Sequence, residues 1–214
     1  MRDDNQAIGL FGGTFDPIHL GHIHSLAHAA EVLGLGQIRV LPCKLPPHKQ
    51  APGVTVEHRL AMASLAIAPF DFLILDDYEL NAPEPSYTVN TLRHFKRPNN
   101  QLYFFIGMDS LLSFHQWHEY QRILSLAHLV VLKRPGYALD AQQLLPELSK
   151  KLTTEVKDLQ KSDAGRILLL DNDQRDVSST QIRRLLQTSD NWSQNLGLSE
   201  EVFAYIKQHK LYGA

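Results

Sequence analysis

Between Gly9 and His22 the chain reads GLFGGTFDPIHLGH. Gly12 and Gly13 carry no Cβ, so a ligand can come close to the main chain and meet its N–H groups. His19 and His22 follow at the start of a helical pattern, and at that spacing they would project from one face. Gly21 between them is expected to keep the space above the helix clear. The helix N-terminus would add unpaired N–H donors and the positive end of a dipole. Bare backbone, two imidazoles and a helix end make an inventory for holding phosphate. A second segment, SSTQIRR, offers the hydroxyls of Ser178, Ser179 and Thr180 as caps for a helix beginning near Gln181, with Arg183 one turn inside. Taken singly, each segment also fits a tight turn or an ordinary capped helix.

Both segments need elements to carry them. Short apolar runs recur at Ala7–Phe11, Ile38–Leu41, Phe72–Leu75, Leu102–Ile106, Leu129–Leu132 and Ile167–Leu170, the length of strands buried on both faces. Helical patterns lie between them: Leu20–Leu33, with Ile23, Leu26, Ala27 and Ala30 on one face, then Val56–Ala66, Thr88–Phe95, Tyr120–Ala127 and Thr180–Leu186. This alternation predicts an α/β fold, a Rossmann-like doubly wound parallel sheet with right-handed crossovers. We expect one domain over 1–214. Within it, the polar stretch 136–163 reads as a surface helical insertion and 178–214 as a helical C-terminal part, its last helix capped by Ser199. Ligands bind such sheets beyond the carboxyl ends of the strands. GGTFDPIHLGH, PCKLPPHK, GMDS, KRP and DVSSTQIRR all fall there.

Composition narrows the classes. The 214 residues are 43% hydrophobic and 21% charged, with a net charge of −2, so no basic field invites nucleic acid or an anionic membrane. No stretch approaches a membrane span, and the N-terminal apolar run is too short for a signal-peptide core. A single cysteine, Cys43, leaves no internal disulfide and suits a reducing, cytoplasmic setting. No histidine–acid relay accompanies it, so it is assigned no nucleophilic role. Walker and dinucleotide glycine patterns are absent. Zinc on His19, His22 and His24 is conceivable, but no HExxH pattern or cysteine ligand joins them. His28, His58, His94, His128 and His209 read as packing or surface residues.

GGTFDPIHLGH and VSSTQIR together resemble the paired HxGH and SSTxIR signature of the nucleotidylyltransferase superfamily. PPHK (Pro46–Lys49), PSYT (Pro85–Thr88), IGMDSLLSF (Ile106–Phe114) followed by Trp117, and KRPGY (Lys133–Tyr137) are similar to the bacterial nicotinate-nucleotide adenylyltransferase family. That resemblance runs in order from Gly9 to about Arg184. It implies joining of ATP and nicotinate mononucleotide to give deamido-NAD and pyrophosphate; the sequence shows no dedicated cluster of carboxylates, so Mg²⁺ is expected to arrive on ATP, with no protein metal site. By position it implies that Gly12, Gly13, Thr14, Phe15, His19 and His22 hold the ATP phosphates, with Ser179, Thr180 and Arg183 closing on them. His48 and Lys49 would lie on a loop over ATP, and Gly107 and Asp109 near the riboses. Thr88 and Trp117 would receive the pyridine ring, and Arg134 the mononucleotide phosphate.

From the residues alone, Trp117 fits a stacking surface or the edge of the core, and Asp109 a helix cap that also accepts a ribose hydroxyl. The chain departs from the family pattern at Cys43 and Lys44, where many relatives have asparagine, and at His118 beside Trp117. The remaining alternatives are nicotinamide mononucleotide or phosphopantetheine as acceptor, and a non-catalytic ATP-binding sensor.

Overall fold

The computed structural model describes residues 7–44, 53–133, 139, 143–171, 177–188 and 196–214. His48, Lys49 and Arg134 lie outside them. In chain order the elements are β1 (Ala7–Gly13), α1 (Leu20–Leu33), β2 (Ile38–Pro42), α2 (Val56–Ile67), β3 (Leu73–Leu75), α3 (Tyr78–Asn81), α4 (Thr88–Phe95), β4 (Gln101–Gly107) and α5 (Met108–Leu112). They continue with α6 (Tyr120–Leu126), β5 (His128–Leu132), α7 (Pro146–Ser149), β6 (Leu152–Thr153), β7 (Ile167–Leu170), α8 (Ser179–Thr188) and α9 (Glu200–Gln208).

Among the described residues the strands form one sheet in the order β3-β2-β1-β4-β5-β7-β6, every pair parallel. Strand side chains alternate between two cores, because successive Cβ atoms point to opposite faces. Phe11, Val40, Phe105, Val130 and Leu168 pack with Ile23 and Leu26 of α1, Met62 of α2, Ile182 of α8 and Val202 of α9. Leu10, Leu41, Phe104, Ile106 and Val131 pack with Val89 and Leu92 of α4, Leu111 of α5 and Ile123 of α6. Apolar residues are needed on both faces of each strand, which is why the strands read as unbroken apolar runs. This is the Rossmann-like doubly wound architecture.

Two local expectations change. Ala29, not Ala27, completes the buried face of α1. The described part of the 136–163 stretch is more than a surface cover. Its residues Leu152 and Thr153 pair with Ile167 and Leu168 of β7, and Leu144, Leu148 and Leu159 are buried. A two-residue edge strand has too little sequence to show a period.

Candidate active site

β1 leads outward to β2 and β3 on one side, while β4 leads to β5 and β7 on the other, so the strand order reverses between β1 and β4. A crevice opens at such a switch point. Gly12 and Gly13 end β1, Gly107 ends β4, and the register aligns Gly13 with Pro42 and Gly107 with Leu132. The predicted phosphate and ribose segments thus emerge side by side.

Gly13 is required by its neighbour. A Cβ there would sit 2.8 Å from the Phe15 ring, which folds back under the strand end and is buried. Phe15 itself has φ of 49°, and its ring meets Phe11 at 5.3 Å and His22 edge-on at 5.5 Å. The Phe15 side chain therefore supports the histidine from below, and only its backbone faces outward chemistry.

His19 is the N-cap of α1 rather than part of it. Its Nδ1 accepts from the His22 N–H at 3.3 Å, and His22 Nδ1 accepts from the His19 N–H at 3.2 Å. This reciprocal capping box stacks the two rings with centroids 3.6 Å apart. An Nδ1 that accepts leaves the proton of a neutral imidazole on Nε2, so the caps fix both rings as Nε2–H donors. The sequence places two imidazoles on one face; the structure makes them a parallel pair with defined tautomers. Gly21 has a different task from the one expected. A Cβ there would press on His19 Nδ1 at 3.0 Å and approach Val177, so the glycine admits the His19 ring.

α8 docks directly on this loop. Ser178 caps it in a second box, taking the Gln181 N–H on its hydroxyl while its own N–H donates to Gln181 Oε1 at 3.1 Å. The Ser179 hydroxyl donates to the Pro17 carbonyl at 2.9 Å. Arg183 donates to the Asp16 carbonyl at 2.7 Å and to the Thr180 hydroxyl at 3.3 Å. Asp16 is buried, and its carboxylate accepts from the Tyr212 hydroxyl at 2.7 Å and the Gly53 N–H at 2.9 Å, with Arg183 3.8 Å away. Three distant stretches of chain converge on one carboxylate. Burial and the Asp16 carboxylate push the Tyr212 hydroxyl far above the ordinary phenol range, so it stays a donor.

Across the crevice the arrangement is looser. Gly107, not Asp109, caps α5. Asp109 lies in the first turn, and its buried Oδ1 has no hydrogen-bond partner among the described residues. An orphaned carboxylate oxygen at the end of β4 is an acceptor in want of a donor. Trp117 is half-buried, tilted on Phe114 at 5.5 Å and edge-on to Phe104 at 6.4 Å. His118 stacks on Tyr87 of PSYT at 4.5 Å, and Glu119 pairs with Arg93 of α4 at 2.6 Å. These contacts hold the Trp117 segment against α4, whose first residue is Thr88.

Three buried groups were not singled out by sequence reading. Arg59 on α2 is wholly buried and donates to the carbonyls of Thr14, Cys43 and Lys44. A signal existed: Arg59 falls on the same helical stripe as Met62, Ala63 and Ala66. Glu79 accepts from the Thr91 hydroxyl at 2.7 Å, and its Oε1 lies 3.7 Å from where a Gly12 Cβ would be. Burial raises its carboxyl to about 7, against the lowering effect of the Thr91 bond. The third is Tyr212, whose partner lies 196 residues away. Cys43 is buried and its thiol is pushed up by desolvation, in keeping with no nucleophilic role.

Among the described residues, no three His, Cys, Asp or Glu side chains form a group that could hold a metal ion. Nor is any described helix long and apolar enough to cross a membrane.

The cytidylyltransferase-like family pattern matches residues 10–185. The probable nicotinate-nucleotide adenylyltransferase of Aeromonas hydrophila is 41% identical over 208 residues, 96% of each chain. That of Klebsiella pneumoniae is 37% identical over 99% of this chain and 100% of its own. Among solved structures, Plasmodium falciparum nicotinic acid mononucleotide adenylyltransferase complexed with NaAD superposes with a TM-score of 0.76 at 20% identity. It covers 97% of this chain and 98% of that one, a likeness of fold. The match spans both walls of the crevice, and the chain belongs to the cytidylyltransferase-like family, among the nicotinate-nucleotide adenylyltransferases.

Proposed function

We propose that the chain transfers the adenylyl group of ATP to nicotinate mononucleotide, giving deamido-NAD and pyrophosphate. The observation that carries this reading is the docking of α8 on the β1–α1 loop. Ser179 on the Pro17 carbonyl and Arg183 on the Asp16 carbonyl put the two phosphate-type segments against each other at the switch point. Full-length relatives under the same activity name support the choice of acceptor.

The mononucleotide phosphate attacks the α-phosphorus of ATP in line, and pyrophosphate departs; no side chain is covalently modified. Both reactants are anions, so the chain's task is to hold them together and to stabilise charge on the α-phosphate and the leaving group. The Nε2–H groups of His19 and His22 donate to phosphate oxygens. The Gly12–Phe15 main chain, the Ser179 backbone N–H at the start of α8, the Thr180 hydroxyl and Arg183 donate from the sides. Asp109 accepts a ribose hydroxyl, Gly107 leaves room beside it, and Thr88 and Trp117 receive the pyridine ring. His48 and Lys49, from the ATP side, and Arg134, on the mononucleotide phosphate, complete the assignment from residues outside those described.

Mg²⁺ fits this site as a companion of the triphosphate. The loop carboxylate Asp16 is already bonded to Gly53 and Tyr212, which leaves phosphate oxygens as its natural ligands. Bound there it would neutralise charge on the β- and γ-phosphates.

The test is product analysis with ATP, Mg²⁺ and, separately, nicotinate mononucleotide, nicotinamide mononucleotide and phosphopantetheine. Equimolar deamido-NAD and pyrophosphate, formed fastest with the nicotinate acceptor, is the expected result. Faster turnover of another acceptor would reassign the substrate, and no pyrophosphate with any acceptor would leave only an ATP-binding protein.

A further inference from the structure

The least expected group in the molecule is the guanidinium of Arg59. It is 0% exposed, on a helix stripe otherwise made of Met62, Ala63, Ala66 and Ile67. Nη1 donates to the Thr14 carbonyl at 2.6 Å, and Nη2 donates to the carbonyls of Cys43 at 2.8 Å and Lys44 at 3.2 Å. Its Nε has no partner among the described residues.

Carbonyls satisfy hydrogens but do not cancel a charge. Burying an ion without a countercharge costs several kcal/mol even after relaxation. Among the described residues no carboxylate stands at ion-pair distance from Arg59. The loop carboxylate Asp16 is engaged by Tyr212, Gly53 and Arg183. Glu79, the other buried carboxyl near the loop, is bonded to Thr91 of α4, so among the described residues Arg59 has no ion-pair partner of its own.

The three carbonyls are also not arbitrary. Thr14 follows the end of β1, and Cys43 and Lys44 follow the end of β2, so one rigid fork ties the two strand ends that flank the glycine strap. Arg59 holds the strap at its Thr14 end, and Gly12 and Gly13 add no side chain to the strap itself. Low-dielectric surroundings let a charge behind it act through the backbone.

We infer that Arg59 is a positioning residue for the polyphosphate. It fixes the Thr14 and Cys43–Lys44 walls of the phosphate site from inside the core, and its own charge is balanced only when the polyphosphate arrives. The inference rests on the phosphate reading of the crevice but assigns a task to a residue that touches no substrate.

The experiment compares the wild-type chain with Arg59→Met and Arg59→Lys, using calorimetric binding of inorganic tripolyphosphate and steady-state turnover with ATP and nicotinate mononucleotide. Arg59→Met, without the charge, should weaken tripolyphosphate binding about tenfold. Arg59→Lys keeps the charge but cannot fork onto three carbonyls; it should bind tripolyphosphate within about twofold of wild type while kcat falls about tenfold. A residue that only stabilises the fold would lower Tm without this split. Wild-type binding by Arg59→Met, or wild-type kcat in Arg59→Lys, would overturn the inference. If Arg59→Met does not fold, Arg59→Lys decides alone: binding kept with kcat lost supports the role, and kcat kept refutes it. Failure of the wild-type chain to bind tripolyphosphate is a distinct outcome, since it removes the phosphate site itself.

Discussion

The two walls of the crevice are built in opposite ways. On the β1 side, the phosphate wall is tied down from the interior. Two capping boxes, the Arg59 fork, the Asp16 hub and the Ser179 and Arg183 bonds leave its loop little freedom. On the β4 side, the acceptor wall keeps a buried carboxylate oxygen with no partner among the described residues and a tryptophan half-buried, held mainly by ring contacts. Rigid donors suit a charge that develops in every turnover, because fixed dipoles need no reorganisation at the moment of reaction. An orphan acceptor is instead a debt that a substrate hydroxyl settles on binding. The phosphate wall should therefore govern rate, and the acceptor wall should govern affinity.

The sharpest way to break this contrast is at the histidines. His22→Ala should lower kcat by about 10²–10³, the scale for losing one transition-state donor, and His19→Ala similarly. Each also loses a capping partner, at roughly 1 kcal/mol of stability. Steady-state kinetics beside a melting curve separates the two effects, and near-normal kcat in both variants would remove the pair from catalysis.

Next in size is Glu79, at the seam, with its Oε1 beside Gly12 and bonded to Thr91 of α4. Its carboxyl is raised from 4.5 to about 7, so the folded chain keeps a proton that the unfolded chain has released in that interval. Its contribution to stability is full below the unfolded value and is lost as pH rises through the folded one, by about 3 kcal/mol. Glu79→Gln, which cannot ionise, should gain stability on wild type across that window in denaturant titrations. A constant difference at all pH values would contradict the buried-carboxyl description.

Asp109→Ala removes an oxygen, Oδ1, that has no hydrogen-bond partner among the described residues. It should leave Tm unchanged or raised while kcat/KM falls about 10–100-fold, the usual worth of a hydrogen bond to a charged group. A fall in Tm with unchanged kcat/KM would make Asp109 structural. The smallest effect is expected for Trp117→Ala, which should raise KM for the mononucleotide about tenfold with KM for ATP little changed.

How much of this could be read beforehand depended on distance along the chain. Strands from β1 to β7, apart from β6, were visible because double-sided burial writes unbroken apolar runs. α1 and α4 were visible to the residue because a helix repeats its face every turn. That GGTFDPIHLGH lies beyond the carboxyl end of β1 followed from the alternation; that β1 borders the switch point came only with the strand order. What stayed hidden were relations that no period encodes. Nothing local says that Tyr212 reaches Asp16, or that two Nδ1 atoms trade caps with each other's backbone. Asp109 resembled a cap because an acid after a strand end often is one; here Gly107 takes that place and leaves Oδ1 without a hydrogen bond among the described residues. Arg59 was legible in principle, as a charge on an apolar stripe.

The most direct test is a structure of the chain with a non-hydrolysable ATP analogue and nicotinate mononucleotide bound together. The triphosphate should lie over the Gly12–Thr14 strap, with the Nε2 atoms of His19 and His22 and the Arg183 guanidinium at hydrogen-bond distance from its oxygens and the pyridine ring by Trp117. A triphosphate bound elsewhere, with the histidine pair facing empty solvent, would contradict the mechanism at its base.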